Sequence, residues 1–248
     1  MSIEAEPLAL SVRNLSAGYS KNEMVIEDIE LFLKKGEFFG LIGLNGVGKT
    51  TLIKTILSLR NKNKGEIKIF GNDSNSLEAK KRISYLPERF EPSWFLTGEE
   101  YIKFSLSLYE QPYNKDYVLE QVDKLALDRK ALKRKVQTYS KGMRQKLGIL
   151  GTVLTNCDLL ILDEPMSGLD PSARTLVKDM LLNYKSNGHS VLLCSHILAD
   201  LDELCDSVAI LNDKKIQFSG SPASLKKKTN DEYLERAFLS FVMDKCAA

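Results

Sequence analysis

Along the first third of the chain, apolar positions come in short runs broken by turn residues. LALSVRNL and MVIEDIELFL read as strands, KKGE as a turn, and FFGLIG as a buried strand that runs into a glycine-rich loop. KTTLIKTILSL beyond the loop has helical spacing, so strand, loop and helix open an α/β unit. GEIKIFG and RISYLP add two strands. From Glu99 to about Lys135 the spacing turns helical, with Tyr101, Phe104 and Leu108 and then Val118, Val122 and Leu125, which predicts a helical insertion.

A further helix starts near Ser140 and points Met143, Leu147, Leu150 and Leu154 at the core. DLLILDEP then reads as a strand, Ser172 to about Ser186 as a helix, SVLLCSH as a strand, followed by a short acidic helix, the strand SVAILND and the hairpin-like KKIQFSG. Apolar strands alternating with helices predict a parallel sheet covered on both faces. In the tail, Leu234, Ala237, Phe238, Phe241 and Val242 share one helical face. That face is expected to pack on its own core, with a second copy or a membrane partner as alternatives, and Lys226 to Lys228 read as a solvated face.

Composition narrows the class. A chain of 248 residues with 43% hydrophobic content can bury a core of ordinary size, and 35 basic against 33 acidic residues leave a net charge of +2. Such a balance supplies no general field for gripping nucleic acid or a membrane, so partners must be recognised locally. Cys157, Cys194, Cys205 and Cys246 form no CxxC pair and read as reduced thiols. The first residues, with Glu4, Glu6 and Pro7, lack the basic start and apolar core of a signal peptide, so a cytoplasmic setting is expected. No apolar run approaches the roughly 18 residues of a membrane span, so action at a membrane would need another chain to cross it.

Chemistry concentrates in a few stretches. GLNGVGKT (Gly43, Leu44, Asn45, Gly46, Val47, Gly48, Lys49, Thr50) fits GxxxxGK[ST] and stands between a predicted strand and helix. Glycines there let backbone N–H groups converge on an anion at a helix N-terminus. Lys49 can then reach outer phosphates, Thr50 can ligate Mg²⁺ and Thr51 can donate to an inner phosphate. In LLILDEP, an apolar strand ends in Asp163 and Glu164; beside a phosphate loop, Asp163 suits a Mg²⁺ shell and Glu164 can accept a proton from an attacking water. Standing alone, such a pair is often only a helix cap. His196, after Ser195, reads alone as a surface or core histidine and with the other motifs as a contact to the terminal phosphate. SGLDP (Ser167, Gly168, Leu169, Asp170, Pro171) reads as a turn into the next helix. YSKGMRQ places Lys141 and Arg144 in a first helical turn, where the helix dipole disfavours cations, and offers no acid to complete a capping box with Ser140. That leaves the helix end open to an anion.

Taken in order, GLNGVGKTT, YSKGMRQ, LLILDEP, SGLDP and SH resemble the nucleotide-binding subunit of ATP-binding-cassette (ABC) transporters, from about Leu8 to Gly220. The resemblance implies an α/β P-loop NTPase with a RecA-like core, an antiparallel β subdomain and a helical subdomain. One domain would run over 1–222, with core and β subdomain at about 1–87 and 156–222 and the helical subdomain at about 88–155, followed by a helical extension at 223–248. It implies ATP and Mg²⁺ as ligands, Tyr19 as the platform for adenine, and Lys49, Glu164 and His196 as catalytic groups. Metal contacts would come from Thr50, Asp163 and Glu88; the last, in YLPER, replaces the family's usual glutamine and cannot donate as an amide does. Ser140, Lys141, Gly142 and Met143 stand at the family signature, which completes the ATP site of an opposing cassette, and Ser167 to Asp170 at the segment called the D-loop.

The implied partners are a transmembrane permease subunit and a second cassette, either identical or different, and no nucleic acid. The setting would be the cytoplasmic face of a membrane, held there by the permease, and the motif set leans to export. Phe90, Trp94 and Phe95, in a loop with two prolines, either receive a helix of the membrane subunit or pack on the helical insertion. Two rival classes are a soluble cassette ATPase of the translation or DNA-repair type and a non-hydrolysing scaffold subunit. A single cassette without sustained heptads argues against the first, and the presence of Glu164 and His196 against the second.

Overall fold

The computed structural model describes residues 7–20 and 23–246, with side chains to residue 243. Glu4 and Glu6, part of the signal-peptide reading of the first twenty residues, and the thiol of Cys246 lie outside the described residues. In chain order the elements are β1 (Leu8–Ser20), β2 (Glu23–Lys34), β3 (Phe38–Ile42), α1 (Lys49–Ile56), β4 (Lys64–Ile69), β5 (Asn72–Asp73), α2 (Leu77–Lys80) and β6 (Ile83–Leu86). There follow α3 (Gly98–Ser107), α4 (Lys115–Lys124), two short 3₁₀ turns, α5 (Lys141–Val153), β7 (Leu159–Asp163) and α6 (Pro171–Ser186). The chain closes with β8 (Ser190–Cys194), α7 (Leu198–Leu204), β9 (Ser207–Asn212), β10 (Lys215–Gly220), α8 (Pro222–Thr229) and α9 (Leu234–Cys246). Two compact units form: Met1–Arg82 with Ser190–Ala248, and Ile83–His189.

The first unit holds an antiparallel sheet in the order β2-β1-β4-β5 and a second set of strands in which β3 pairs in parallel with both β8 and β9. All five residues of β3 and of β8 are buried, as a parallel strand covered on both faces requires. Burying a Leu or Ile of such a strand is worth about 1.5–3 kcal/mol, which makes β3 a rigid base for the loop that leaves it. Two hydrogen bonds pin its entrance: Phe38 N–H donates to Asp206 Oδ2 at 2.9 Å, and Gly36 N–H to Ser190 Oγ at 2.9 Å. The KKIQFSG segment forms the expected hairpin, β9 and β10 meeting through Asp213 and Lys214, both with positive φ (45° and 66°).

The structure departs from three sequence expectations and adds two elements. The helix after the glycine loop stops at Ile56, three residues early, because Ser58 takes a left-handed φ of 56° and the N–H groups of Leu59 and Arg60 both turn back to Lys54 O. Leu59 is left 67% exposed. In α3 the buried face runs through Ile102 and Leu106, whereas Phe104 and Leu108 are exposed; the apolar spacing of that helix covers more than one face. Lys226 to Lys228 do not form a purely solvated face: Lys226 Nζ pairs with Asp202 at 2.9 Å and Lys228 Nζ lies 5.0 Å from the Phe241 ring centroid. The strand β5 and the helix α2, with Ser76 as its N-cap, are too short to show in the hydrophobic pattern.

The tail helix α9 buries Leu234, Ala237, Phe238 and Phe241 within the first unit, with Phe241 edge-on to Phe218 of β10 at 5.8 Å. Self-packing is thus what the tail does. In the second unit, β6 and β7 pair in parallel and are accompanied by α3 to α6. Thr97 and Glu100 close a capping box at the start of α3, and Gly98 is obligatory there: a Cβ would stand 2.2 Å from the Tyr139 hydroxyl oxygen.

Candidate functional site

The phosphate loop follows from strand β3. Gly43, too close to Leu211 O for any Cβ (2.6 Å), lets the chain leave the strand, and Gly48 at φ 113° turns it into α1. Gly48 is the N-cap, with no side chain to cap the helix and no acid in its first turn. The first N–H groups of α1 therefore remain directed at whatever anion the loop receives. Lys49 Nζ bonds the carbonyl oxygens of Gly43 and Leu44 at 2.6 and 3.0 Å, so the ammonium lies within the arc of the loop. Leu44, Asn45, Gly46 and Thr50 are exposed, Val47 is half-buried, and Thr51 is buried.

Strand pairing brings His196 to the same region. β3 and β8 run parallel with Leu41 opposite Cys194, so the phosphate loop and the Ser195–His196 pair leave the same end of neighbouring strands. Ser195 is buried and its Oγ accepts from Ile197 N–H at 3.1 Å, which turns the chain and leaves His196 exposed. Tyr19, near the end of β1, is 71% exposed, with the Arg60 guanidinium 4.4 Å from its ring centroid.

In the second unit, β6 and β7 are paired with Leu86 opposite Leu162, so Glu88 and the Asp163–Glu164 pair follow the same ends of adjacent strands. Asp163 is buried (3% exposed) and Glu164 nearly so (9%), while Glu88 is exposed. Glu164 takes a left-handed φ of 53°. A non-glycine residue there costs about 1–3 kcal/mol and must be held by its surroundings. The holding group is Gln145 of α5, buried to 6%, whose amide donates to Pro165 O at 2.8 Å and more weakly to Glu164 O at 3.5 Å.

The signature segment begins α5. Ser140 is its N-cap and accepts from Met143 N–H at 3.2 Å; Ser140 and Lys141 are exposed, Gly142 and Met143 half-buried. The two cations that open the helix have local explanations. Arg144 donates to Tyr139 O at 2.7 Å, and the Lys141 stem lies on Gly168, where a Cβ would meet its Cε at 2.7 Å. Ser140, Gly142, Met143, Gly168, Leu169 and Asp170 share a hollow of about 320 Å³, so signature and D-loop are brought together. Asp170 caps α6 by accepting from Ala173 N–H at 2.9 Å, with Pro171 at the first helical position, and Ser167 N–H bonds Glu164 O.

The loop aromatics separate. Phe90 packs edge-on to Tyr101 at 5.4 Å and against the site of a Cβ on Gly148, whereas Trp94 and Phe95 are 64% and 81% exposed. Only the latter pair remains available to a partner. Gln145 escaped the sequence reading although it ends the quoted stretch YSKGMRQ, because only the cations there broke a local rule.

Residues 26–167 match a family model described as ABC transporter. An uncharacterized ABC transporter ATP-binding protein of Synechocystis sp. is 35% identical over 223 residues, which is 88% of this chain and 62% of that relative's length. The chain thus spans less than two thirds of that protein. The ABC-type transporter ATP-binding protein EcsA of Bacillus subtilis is 32% identical over 240 residues, covering 91% of this chain and 95% of that one. A solved structure described as the ATP-binding subunit of an ABC transporter superposes with a TM-score of 0.85 at 29% identity, over 94% of this chain and 99% of the other. With more than half of its length inside the family model, the chain belongs to the ABC transporter family, as one of its ATP-binding subunits.

Proposed function

We propose that this chain binds MgATP, closes with a second cassette around two nucleotides, and hydrolyses ATP to drive export through a separate transmembrane subunit. The observation that carries the reading is the phosphate loop: an uncapped, acid-free helix N-terminus with Lys49 inside its arc. A polyphosphate competes with the Gly43 and Leu44 carbonyls for that ammonium and takes the first N–H groups of α1. Adenine stacks on Tyr19, and Thr51 donates to an inner phosphate.

Mg²⁺ suits the donor types of the residues proposed to hold it. Thr50 offers a hydroxyl, Asp163 a carboxylate and Glu88 a second one, all hard oxygens, and no group of three or more His, Cys, Asp or Glu among the described residues forms a dedicated metal cage. A cation held mainly by phosphate and water needs none; when bound, it neutralises charge on the phosphates. Glu164 accepts the proton of the water that attacks the γ-phosphorus, the bond to the β–γ bridging oxygen breaks, and ADP leaves with the electron pair. His196 contacts the γ-phosphate. Ser140 and Gly142, with Lys141 and Met143, meet the γ-phosphate held by the opposing cassette's loop, and Ser167 to Asp170 link that contact to Glu164.

No helix among the described residues is long and apolar enough to cross a membrane. On this reading the chain acts through a permease, on the cytoplasmic face, with Trp94 and Phe95 at the coupling surface. Copurification from gently solubilised cells identifies that permease, and the Trp94→Ala, Phe95→Ala double variant is expected to lose it. Glu164→Gln is the test of mechanism. General-base assistance is worth about 10²- to 10⁴-fold, so turnover should fall by that factor while MgATP binding persists and an ATP-dependent dimer accumulates on size exclusion. Undiminished turnover excludes the assignment.

A further inference from the structure

Arg60 is the side chain whose placement neither the motifs nor the fold demands. It follows the break at Ser58, and its N–H is fixed to Lys54 O at 3.1 Å, which sends the side chain back toward the start of α1. There the guanidinium lies 4.4 Å from the Tyr19 ring centroid, and Nη1 donates to Thr51 Oγ1 at 3.5 Å. The same segment is stitched to the end of β1: Asn63 N–H donates to Ser16 O at 2.8 Å, and Asn63 Oδ1 accepts from Gly18 N–H at 3.1 Å. Gly18 leaves no freedom in return, since a Cβ there would stand 2.1 Å from Glu23 O. One cation thus touches two groups that serve opposite ends of a nucleoside monophosphate unit, the ring for the base and the hydroxyl for the α-phosphate.

We infer that Arg60 is a positioning residue of the nucleotide site, one that holds Tyr19 and Thr51 in register for the base and the α-phosphate of ATP. The inference rests on the ATP-site reading above. With Arg60 against one face of its ring, Tyr19 is still 71% exposed, so the opposite face is open to an adenine and a cation–ring–base stack can form. A donor aimed at the Thr51 oxygen occupies a lone pair, which leaves the hydroxyl proton to be given to a phosphate. The positive charge on that side also favours an anion there.

The test is MgATP binding by calorimetry to the full chain carrying Arg60→Ala, Arg60→Lys, Tyr19→Ala or both alanines, with magnesium tripolyphosphate as the probe that lacks a base. Arg60→Ala is expected to weaken MgATP about tenfold and tripolyphosphate only about two- to threefold, so that the ratio of the two affinities falls. Adding Arg60→Ala to Tyr19→Ala should cost MgATP no more than about threefold further, because the stack is already gone. Arg60→Lys, which keeps charge without the planar face, should restore tripolyphosphate but not MgATP. Wild-type MgATP affinity in Arg60→Ala, equal losses for both probes, or fully multiplying losses in the double variant would overturn the inference. Failure of the wild-type chain to bind MgATP, or binding unaffected by Lys49→Ala, would instead strike the site reading and this inference with it.

Discussion

Removing the amide of Gln145 tests how the turn at Glu164, the proposed general base, is held. Its Nε2 is 2.8 Å from Pro165 O, in a place where Gln145 is 6% exposed and Pro165 is buried. Gln145→Met keeps length and volume but deletes the donor. The lost bond counts for about 1 kcal/mol, and a buried carbonyl left unmet adds about 1–2 kcal/mol. A loss of about 2–3 kcal/mol in a domain of this size corresponds to a fall in Tm of roughly 4–12 °C. The strain at Glu164, whose φ is 53°, is of similar size, so without the latch the turn can relax toward an ordinary backbone. On the proposed mechanism, the carboxylate then no longer addresses the attacking water.

The expected result is therefore a drop in kcat for ATP hydrolysis of about 10- to 100-fold, part of the general-base contribution, with KM for ATP little changed because the phosphate loop lies in the other unit. Steady-state phosphate release and differential scanning fluorimetry on the same preparation read both quantities. Wild-type Tm together with wild-type kcat in Gln145→Met would refute the latch. A lowered Tm with unchanged kcat would refute its link to Glu164.

Two other perturbations follow from the packing. Gly168→Ala puts a side chain at φ 73° with its Cβ 2.7 Å from Lys141 Cε; the lysine end can move, so the cost is mainly backbone, about 1–2 kcal/mol, read as a lowered denaturant midpoint and absent if the turn is not left-handed. Cys157 is buried, and that burial pushes its thiol up to about 11. At pH 8 it should react with a thiol reagent only after unfolding. Above about pH 9 the unfolded thiol loses its proton while the folded one keeps it, so stability should fall between pH 9 and 11, by about 2–3 kcal/mol at the upper end, and Cys157→Ala should remove that part of the slope. Equal slopes for the two chains would show that the thiol is not desolvated.

Chemistry that depends on residue type at fixed local spacing was legible in the chain itself. GLNGVGKT needs only a strand before it and a helix after it, and both are encoded within a few residues by FFGLI and by the run from Lys49. The same holds for the buried strand ahead of Asp163, for Ser140 as a cap and for the β9–β10 turn, because burial period, capping and turn preference are local properties. By itself the sequence thus determined the α/β class, the order of its longer core elements and the family to which the chain belongs.

What it did not determine was the mutual placement of those pieces. That Gln145 holds the Glu164 turn and that Arg60 lies against Tyr19 both depend on how long side chains settle after elements separated by many residues have packed. Phe90, Trp94 and Phe95 are three aromatics of one loop, yet only Phe90 finds Tyr101 and Gly148 to pack on. Lys141 looks unfavourable on its helix until Gly168, absent a side chain, makes room for its stem. Hydrophobic period and turn chemistry act over a few residues and can be read in one dimension, whereas the partners of a buried amide or a stacked guanidinium exist only once tertiary contacts exclude water around them.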